Sequence, residues 1–327
     1  VRIHLDKQIT KEDVALGIPL SWNSSYQNEP EEISYESLKD WLIAPQLNWL
    51  EKLQIKPREW YSPIKEIEDL SLNNLQRYKL LKDRFEIFEE ELEENNSSKI
   101  NLETSYWENL TNGQGILPPK AAATIEIEIL ENRWRNLCNC FKRFEPLKKE
   151  TITNNFGTEE IIWDGEFHIA IDLRRLKASC IMKAWLSHLY LCSSDLSIKG
   201  SRIISMNTKN EFEVSIGWDP ITKDEAVCQL QLLKSIACQG QKECFPVPPE
   251  SGWAFAIAKL NTPNKADKVF EKEWIGAVNG KGERDKEEMK LCFGSNCDPS
   301  IFLKSKNFLR AFKTIYNPII DNLTNCN

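Results

Sequence analysis

The chain has 327 residues, of which 41% are hydrophobic, and a formal net charge of −7. This length and apolar content suffice for one large or two ordinary domains. The acidic balance gives no overall signal for binding nucleic acid, so contacts with phosphate groups would need a local basic face.

The sequence divides into a short leading segment and one long folded region. Residues 1–33 are polar, and we expect them to form a linker from a preceding domain. Residues 34–327 are expected to form the folded domain, because apolar residues recur at helix or strand spacing along most of this region. Prolines and glycines predict two internal irregular segments: a loop or short strand over residues 55–69 and a loop over residues 111–119.

The first part of the folded region is predicted to be helical. Ser34 precedes an apolar stripe as a helix N-cap, and Pro45 interrupts that stripe, which predicts a kinked or broken helix pair. A second helix is expected to open at Ser71 and to continue through the acidic run that ends at Glu94. A third, long helix is predicted over residues 120–144.

Three strands and a helix follow in the middle of the chain. Residues 151–156 and 160–163 are extended runs, and an Asp-Gly turn leads into a strand over residues 166–174 in which apolar and polar residues alternate. Alternation with a period of two predicts one buried face and one face exposed to water. From Ile181 the apolar residues recur at four-residue steps, as in an amphipathic helix. The sequence therefore predicts an α/β core in which this helix packs back on the strands.

The carboxy-terminal part combines two more strands with several helices. Residues 202–206 and 212–216 are predicted strands. Residues 279–285 form a polar stretch without hydrophobic content, which predicts a loop. The helical segments share apolar residues at helical spacing, and we predict them from residue 222 onward, over 253–259, over 265–274 and over 302–323.

The polar edge of the third predicted strand carries an acid and a base two residues apart, Asp172 and Arg174. Metal-dependent nucleases of the PD-(D/E)XK class use one acidic residue followed by acid-x-Lys on the next strand: the carboxylates hold a divalent ion and the lysine orients the nucleophile. Here Asp164 stands eight residues before Asp172, and arginine, which favours forked contacts to phosphate, replaces the lysine. We interpret Asp164, Asp172 and Arg174 as a degenerate remnant without catalytic activity or metal. The alternative is that Asp164 is only the acid of an Asp-Gly turn.

Basic residues cluster locally in this acidic chain, and we predict that they contact DNA phosphates, since screening leaves only charges within about 8 Å to act. The alternative is that they form solvated helix faces. The basic candidates are Arg133, Arg135, Lys142, Arg143, Lys148, Lys149, Arg174 and Arg175.

The cysteines give little support for a metal site. The closest pairs, Cys138-x-Cys140 and Cys292-x4-Cys297, do not have strong zinc spacings, and the three histidines are dispersed. We therefore predict that most cysteines are buried free thiols. We see no signal peptide and no apolar run of about twenty residues, so the expected location is the cytoplasm.

Several segments, in this order, resemble the carboxy-terminal domain of RecC, the gamma subunit of exodeoxyribonuclease V. The match covers most of the chain from about residue 34 onward. The resemblance rests on the order in which these segments follow one another. The segments are LKDWLIAP (38–45), LNNLQRY (72–78), GQGILP (113–118), WLSHLYLC (185–192), PPESGW (248–253), and Trp274 with the later GERD (282–285).

The resemblance implies a PD-(D/E)XK restriction-endonuclease-like core, a mixed sheet flanked by helices with helical additions, in which catalysis has been lost. Active relatives place a glutamine four residues before a tyrosine on the helix after the third strand, whereas Leu186 stands four residues before Tyr190 here. Some relatives have a cysteine cluster for an iron–sulfur site, and the cysteine spacings of this chain do not reproduce it.

The resemblance also implies partners and a role. The complete subunit would join this domain to an inactive helicase-like half, hold the RecB and RecD motors, and meet double-stranded and forked DNA. Opening a duplex would need an apolar or aromatic tip, and the candidates are the predicted hairpin with Phe156 and Trp163 and the loop over residues 279–286. Mg and ATP would be used by those partners, with no cofactor bound by this domain. We therefore expect a noncatalytic scaffold and DNA-handling domain that acts in double-strand-break repair. The alternatives are an active Mg-dependent nuclease and a pure protein-interaction module that docks through its acidic helix or its terminal helix.

Overall fold

A computed structural model describes most of the folded region. The described residues are 33–57, 71–94, 106–107, 117–118, 121–277 and 280–324. Apart from Ile33 the predicted leading linker lies outside these ranges, as does most of both predicted internal loops. Within these ranges, no helix combines the length and the apolar character needed to cross a membrane.

The described elements alternate between helices and strands in the middle of the chain and are mainly helical at both ends. The helices are α1 (Tyr35–Ile43), α2 (Pro45–Lys52), α3 (Asn74–Glu94), α4 (Ala121–Phe141), α5 (Ala178–Ser193), α6 (Lys223–Lys242), α7 (Pro249–Asn261), α8 (Ala266–Ile275), α9 (Glu287–Phe293), α10 (Pro299–Lys304) and α11 (Lys306–Asp321). The strands are β1 (Lys148–Asn154), β2 (Gly157–Trp163), β3 (Phe167–Arg175), β4 (Gly200–Met206), β5 (Phe212–Trp218) and β6 (Leu323–Thr324).

The strands form one six-stranded mixed sheet in the order β1-β2-β3-β4-β5-β6. β1, β2 and β3 form an antiparallel meander, β4 runs parallel to β3, and β5 runs antiparallel to β4. The parallel step requires a crossover, and α5 provides it between β3 and β4. Helices flank this sheet, which confirms the predicted α/β architecture.

The chain divides into two compact units. Of the described residues, the sheet-centred unit comprises 71–94, 106–107, 117–118, 121–176, 191–222 and 324. In it, α3 packs on β1 and β3, and α4 packs on β5. Phe88 of α3 stacks on Phe141 of α4 with 5.1 Å between ring centroids, and it meets Trp134 edge-on at 5.9 Å. These aromatic rings join Ile169 of β3 in one buried core.

Of the described residues, the helical unit comprises 33–57, 177–190, 223–277 and 280–323. Phe255 of α7 lies at its centre and contacts Phe270, Phe308 and Phe312 at centroid distances between 5.0 and 6.1 Å. The fully buried Gln46 of α2 donates from Nε2 to the carbonyl oxygens of residues 245 and 247. These hydrogen bonds give partners to two carbonyl groups of a buried irregular segment, since buried polar groups are nearly always hydrogen-bonded.

Local capping explains where the helices begin and break. The Ser34 hydroxyl accepts a hydrogen bond from Ser37 N at 3.1 Å, and α1 and α2 meet at Pro45, so both predictions are confirmed. α3 begins at Asn74 rather than near Ser71, because Asn73 and Gln76 exchange side-chain and backbone hydrogen bonds as a capping pair.

The prediction of a single terminal helix is wrong, because this segment forms two helices. They are α10 and α11, which are separated at Ser305. The hydroxyl of Ser305 accepts from Phe308 N at 3.3 Å and so caps α11. A serine followed by helical residues is a start signal, and it interrupts the apolar pattern too weakly to be seen in periodicity alone.

The prediction that the polar residues of the third strand are exposed to water is also wrong. His168 and Asp172 are each 5% exposed. β3 is an inner strand between β2 and β4, and α3 packs on it, so polar side chains of this strand can be buried even though others, such as Arg175, reach solvent. The two buried polar side chains have partners: His168 Nδ1 lies 3.1 Å from Ser201 Oγ, and Asp172 binds Arg174.

Candidate nucleic-acid interface

The carboxylate of Asp164 completes the turn between β2 and β3. Its Oδ1 accepts hydrogen bonds from Glu166 N at 2.7 Å and from Phe167 N at 2.6 Å. Gly165 between them has φ +96°, a conformation that favours glycine. This is the geometry of an Asp-Gly turn, in which the aspartate side chain replaces a backbone acceptor.

The carboxylate of Asp172 is held by Arg174. Asp172 Oδ1 accepts from the backbone N and from Nε of Arg174, both at 3.0 Å, and Oδ2 lies 3.4 Å from Nη2. The Asp172 side chain is 4% exposed, whereas that of Arg174 is 43% exposed. The arginine therefore neutralises a buried acid and keeps part of its guanidinium at the surface. The guanidinium carbon also lies 5.0 Å from the ring centroid of Tyr78.

The two acids do not converge. Asp164 is bound to the backbone of Phe167 at the first residue of β3. Asp172 lies five residues further along β3, and a rise of about 3.3 Å per residue places it roughly 16 Å away. Two carboxylates that share a Ca²⁺ or Mg²⁺ each lie about 2.0–2.6 Å from the ion. Asp164 and Asp172 cannot meet on one ion in this arrangement.

An irregularity in β3 controls where its last side chains point. Asp172 pairs with Ser205 of β4, whereas Arg175 pairs with the next residue of β4, Met206. The two β3 residues between them therefore have no pairing partner on β4. Such a bulge breaks the alternation of side chains along a strand. As a result, three consecutive β3 residues, Leu173, Arg174 and Arg175, line the same cavity.

This cavity, which we call the arginine groove, has a volume of about 330 Å³. Its cationic lining comprises Arg133 of α4 with Arg174 and Arg175 of β3, and the first part of α3 also lines it. Leu75, Arg175 and Asn210 are exposed at its rim, so the groove opens to solvent. The remaining lining residues are Asn74, Tyr78, Leu173 and Met206.

A forked ion pair supports the wall of the groove. Arg77 Nε and Nη2 donate to the two carboxylate oxygens of Glu126, both at 2.8 Å, and Leu72 N donates to Oε1 at 3.1 Å. These hydrogen bonds, chiefly the one from Arg77, lower the pKa of Glu126, while burial opposes the shift. Arg133 lies two helical turns after Glu126 on α4, and burial followed by the charge of Arg77 lowers its pKa.

The structure divides the predicted basic residues into two groups. Arg133, Arg174 and Arg175 line the arginine groove, although 41 residues separate the first two in sequence. The others lie outside it. Arg135 and Lys142 are exposed and bind side chains of their own segment, Asn132 and Asn139. Arg143 is exposed and Lys148 is half-buried.

Lys149 is engaged with acidic side chains. Its Nζ lies 2.6 Å from Glu93 Oε1 of the acidic helix α3 and 3.5 Å from Glu160 Oε2 of β2. The hydrogen bond to Glu93 is the main cause that raises the pKa of Lys149. Part of the predicted acidic face therefore neutralises part of the predicted basic segment.

The two candidate aromatic tips are separated. Phe156 lies in the tight turn of the β1–β2 hairpin, where Asn154 pairs with Gly157. Trp163 is the last residue of β2, six residues from Gly157 and therefore about 20 Å away along the strand. Both side chains are half-buried. The hairpin presents these aromatic residues at opposite ends rather than at one tip.

The second candidate tip is anchored by a buried acid. Glu283 is 3% exposed, and its carboxylate accepts from Glu250 N, Ser251 N and Ser251 Oγ at 2.7 to 3.0 Å. It thereby caps the first turn of α7. Burial raises the pKa of Glu283, and Lys286 opposes that shift. Residues 278–279 lie outside the described residues.

The described cysteines are mostly buried, and none of them forms a disulfide bond, as expected. Cys244, rather than Cys297, is the neighbour of Cys292: a hydrogen bond between the two thiols, together with burial, raises the pKa of Cys244. Burial raises the pKa of Cys138 to about 12, so this thiol stays protonated at neutral pH. Among the described residues, no three His, Cys, Asp or Glu side chains are grouped so that they could hold a metal ion.

Two of the residue pairs that shape this site leave a trace in the sequence. Asp172 and Arg174 are two residues apart on a predicted strand, a spacing that places two side chains on one face of a regular strand. Glu126 and Arg133 are separated by two helical turns and share a face of α4 in the same way. The pairing of Arg77 with Glu126 leaves no local signal, because it joins two helices across 49 residues.

The fold and this site define a class: a mixed α/β domain, built on a six-stranded sheet flanked by helices, with an arginine-lined groove at the end of its parallel strand. A protein-family model described as RecC C-terminal domain matches residues 30–260, more than half of the chain. The chain belongs to the RecC C-terminal domain family. No curated protein matches it.

Proposed function

We propose that this chain is a noncatalytic scaffold and DNA-handling domain of the exodeoxyribonuclease V gamma subunit. Its family membership supports a role in that subunit. The observation that carries the noncatalytic part is the hydrogen-bond state of the two acids. Asp164 is bound by its own turn, and Asp172 is bound by Arg174 in place of a metal ion.

The proposal includes the setting in which the domain acts. It would serve in double-strand-break repair in the cytoplasm, in a complex with the RecB and RecD motors, and meet double-stranded and forked DNA. Mg and ATP would be used by those partners. The mixed sheet flanked by helices supports a PD-(D/E)XK origin of the core, and the arginine that neutralises Asp172 supports the loss of its activity.

A nuclease assay separates this proposal from an active enzyme. The chain is incubated with labelled linear DNA and Mg²⁺, alongside Asp172→Ala. We expect intact DNA with both proteins, because the two acids lie too far apart to share an ion. Digestion by the original chain that disappears in Asp172→Ala would overturn the noncatalytic proposal.

A binding assay separates it from a pure protein-interaction module. The affinity for forked DNA is measured at two salt concentrations. We expect binding that weakens as salt rises, because contacts with phosphates release counterions. No binding even at the lower salt concentration would favour the protein-interaction module.

A further inference from the structure

We propose that the arginine groove binds the phosphodiester backbone of a single DNA strand. The inference rests on the proposed DNA-handling function and assigns it to one place on the molecule. Three of the basic residues, Arg133, Arg174 and Arg175, meet there from two elements that are distant in sequence. The bulge in β3 makes this convergence possible, because it turns two successive arginines into the same cavity.

The charges around the groove favour an anion. Four arginines, at positions 77, 133, 174 and 175, lie in or beside it. Two carboxylates, Glu126 and Asp172, are bound to Arg77 and Arg174, which leaves an excess of two positive charges. Arg133 forms no salt bridge with any described residue. Within the described ranges, Arg175 donates only to the neutral carbonyl oxygen of Thr208, at 3.3 Å.

The state of Arg133 strengthens this argument. It is half-buried, and both burial and the nearby charge of Arg77 lower its pKa. A phosphate oxygen at Arg133 would relieve both effects, because it supplies the opposite charge and charge-assisted hydrogen bonds. Guanidinium groups suit this ligand, since their fixed fork matches two oxygens of one phosphate.

The dimensions favour a single strand over a duplex. A cavity of about 330 Å³ is at the lower end of the range for small-molecule sites, and it can take a nucleotide unit but not a double helix. The groove also has apolar surface for the sugar and base, since Leu75 is 61% exposed at its rim and Tyr78 forms part of its wall. A separated strand at a fork has this combination of regularly spaced phosphates and uncovered apolar faces.

The test uses two matched double variants of the 327-residue chain. Arg133→Gln with Arg175→Gln removes two charges from the groove and leaves the buried Asp172–Arg174 pair intact. Lys265→Gln with Lys268→Gln removes two exposed charges from residues that do not line the groove. Affinity for a labelled oligothymidine strand is measured by fluorescence anisotropy between about 50 and 200 mM salt.

The groove variant is expected to bind the strand about 60-fold more weakly at roughly 50 mM salt, with a salt slope reduced by about 1.4, as the loss of two phosphate contacts on a single strand requires. The control variant should keep its affinity within about twofold. Equal losses in both variants would overturn the groove assignment while leaving DNA handling in place. Failure of the original chain to bind any DNA at low salt would instead overturn the proposed function.

A competitor identifies the chemistry of the ligand. Unlabelled oligothymidine should displace the labelled strand from the original chain, whereas oligoglutamate at the same charge concentration should displace it poorly, because it lacks phosphates and flat bases. Displacement by oligoglutamate as effective as that by oligothymidine would overturn the assignment to a DNA strand and indicate an acidic peptide instead.

Discussion

Replacing Glu126 with glutamine is predicted to destabilise the chain by about 2–3 kcal/mol. Removal of one partner from a buried ion pair costs about 3–5 kcal/mol, because the other charge is left without compensation. The side chain of Arg77 is 17% exposed and that of Glu126 is 3% exposed, so water can solvate part of the remaining charge. Glutamine also keeps one oxygen that can accept a hydrogen bond from Arg77 or Leu72. Both effects place the expected loss in the free energy of unfolding at or below the lower end of the range of about 3–5 kcal/mol.

Urea unfolding measures this loss, and the same helix supplies the control. Glu128 is exposed on α4, two residues away, and Glu128→Gln should change stability by no more than about 0.5 kcal/mol. A double-mutant cycle with Arg77→Ala should give a coupling energy of about 2 kcal/mol, within the range for side chains in contact. If Glu126→Gln costs no more than Glu128→Gln, the forked pair does not stabilise the wall of the groove.

The stability lost in Glu126→Gln should also depend on pH in a predictable direction. The native pKa of Glu126 is lowered from 4.5, so the native state binds fewer protons than the unfolded chain at acidic pH. Its contribution to stability is fully present above pH 4.5 and is lost as the pH falls through the lowered native value. The stability difference between the original chain and Glu126→Gln should therefore shrink on acidification, and a difference that grows would contradict the structure.

Three further predictions concern other parts of the molecule. Arg174→Lys restores the acid-x-Lys pattern but should not produce Mg²⁺-dependent digestion of labelled DNA, since Asp164 stays at its turn; digestion would show that the acids do converge. Burial raises the native pKa of Glu283 above 4.5, so the native state holds the proton to higher pH than the unfolded chain does. The stability of the original chain relative to Glu283→Gln should then fall as the pH rises above 4.5, and a rise in urea titrations would refute the assignment. Gly240→Ala should cost about 1–2 kcal/mol in the same titrations, because an added Cβ would collide with the buried ring of Trp41 and helix propensity offsets only part of that cost; unchanged stability would show that the Trp41 ring can move.

The sequence predicted the architecture because its signals are local. The alternation in β3, the four-residue steps in α5 and the Ser34 cap each lie within one element. The same alternation gave a wrong exposure for His168 and Asp172, since a period of two shows that a strand has two different faces but not what covers them. Burial of the second face depends on elements that are distant in the chain.

The candidate site was predictable only in its parts. Arg133, Arg174 and Arg175 were visible as basic residues, but so were Arg135 and Lys149, and composition could not separate them. The separation depends on the bulge in β3 and on ion pairs across elements, such as that of Lys149 with Glu93. Asp164 and Asp172 were selected by residue type, whereas the distance between them arises because Asp164 lies in the turn before β3 and Asp172 lies five residues after the first residue of that strand.

One incubation tests the central claim most directly. Labelled forked DNA, Mg²⁺ and the chain are combined at low salt, and the same sample is run on a native gel and on a denaturing gel. The account predicts a retarded band in the first and full-length strands in the second, since the basic residues hold the strands and the two acids hold no metal ion. Shortened strands that are absent with Asp172→Ala would contradict it.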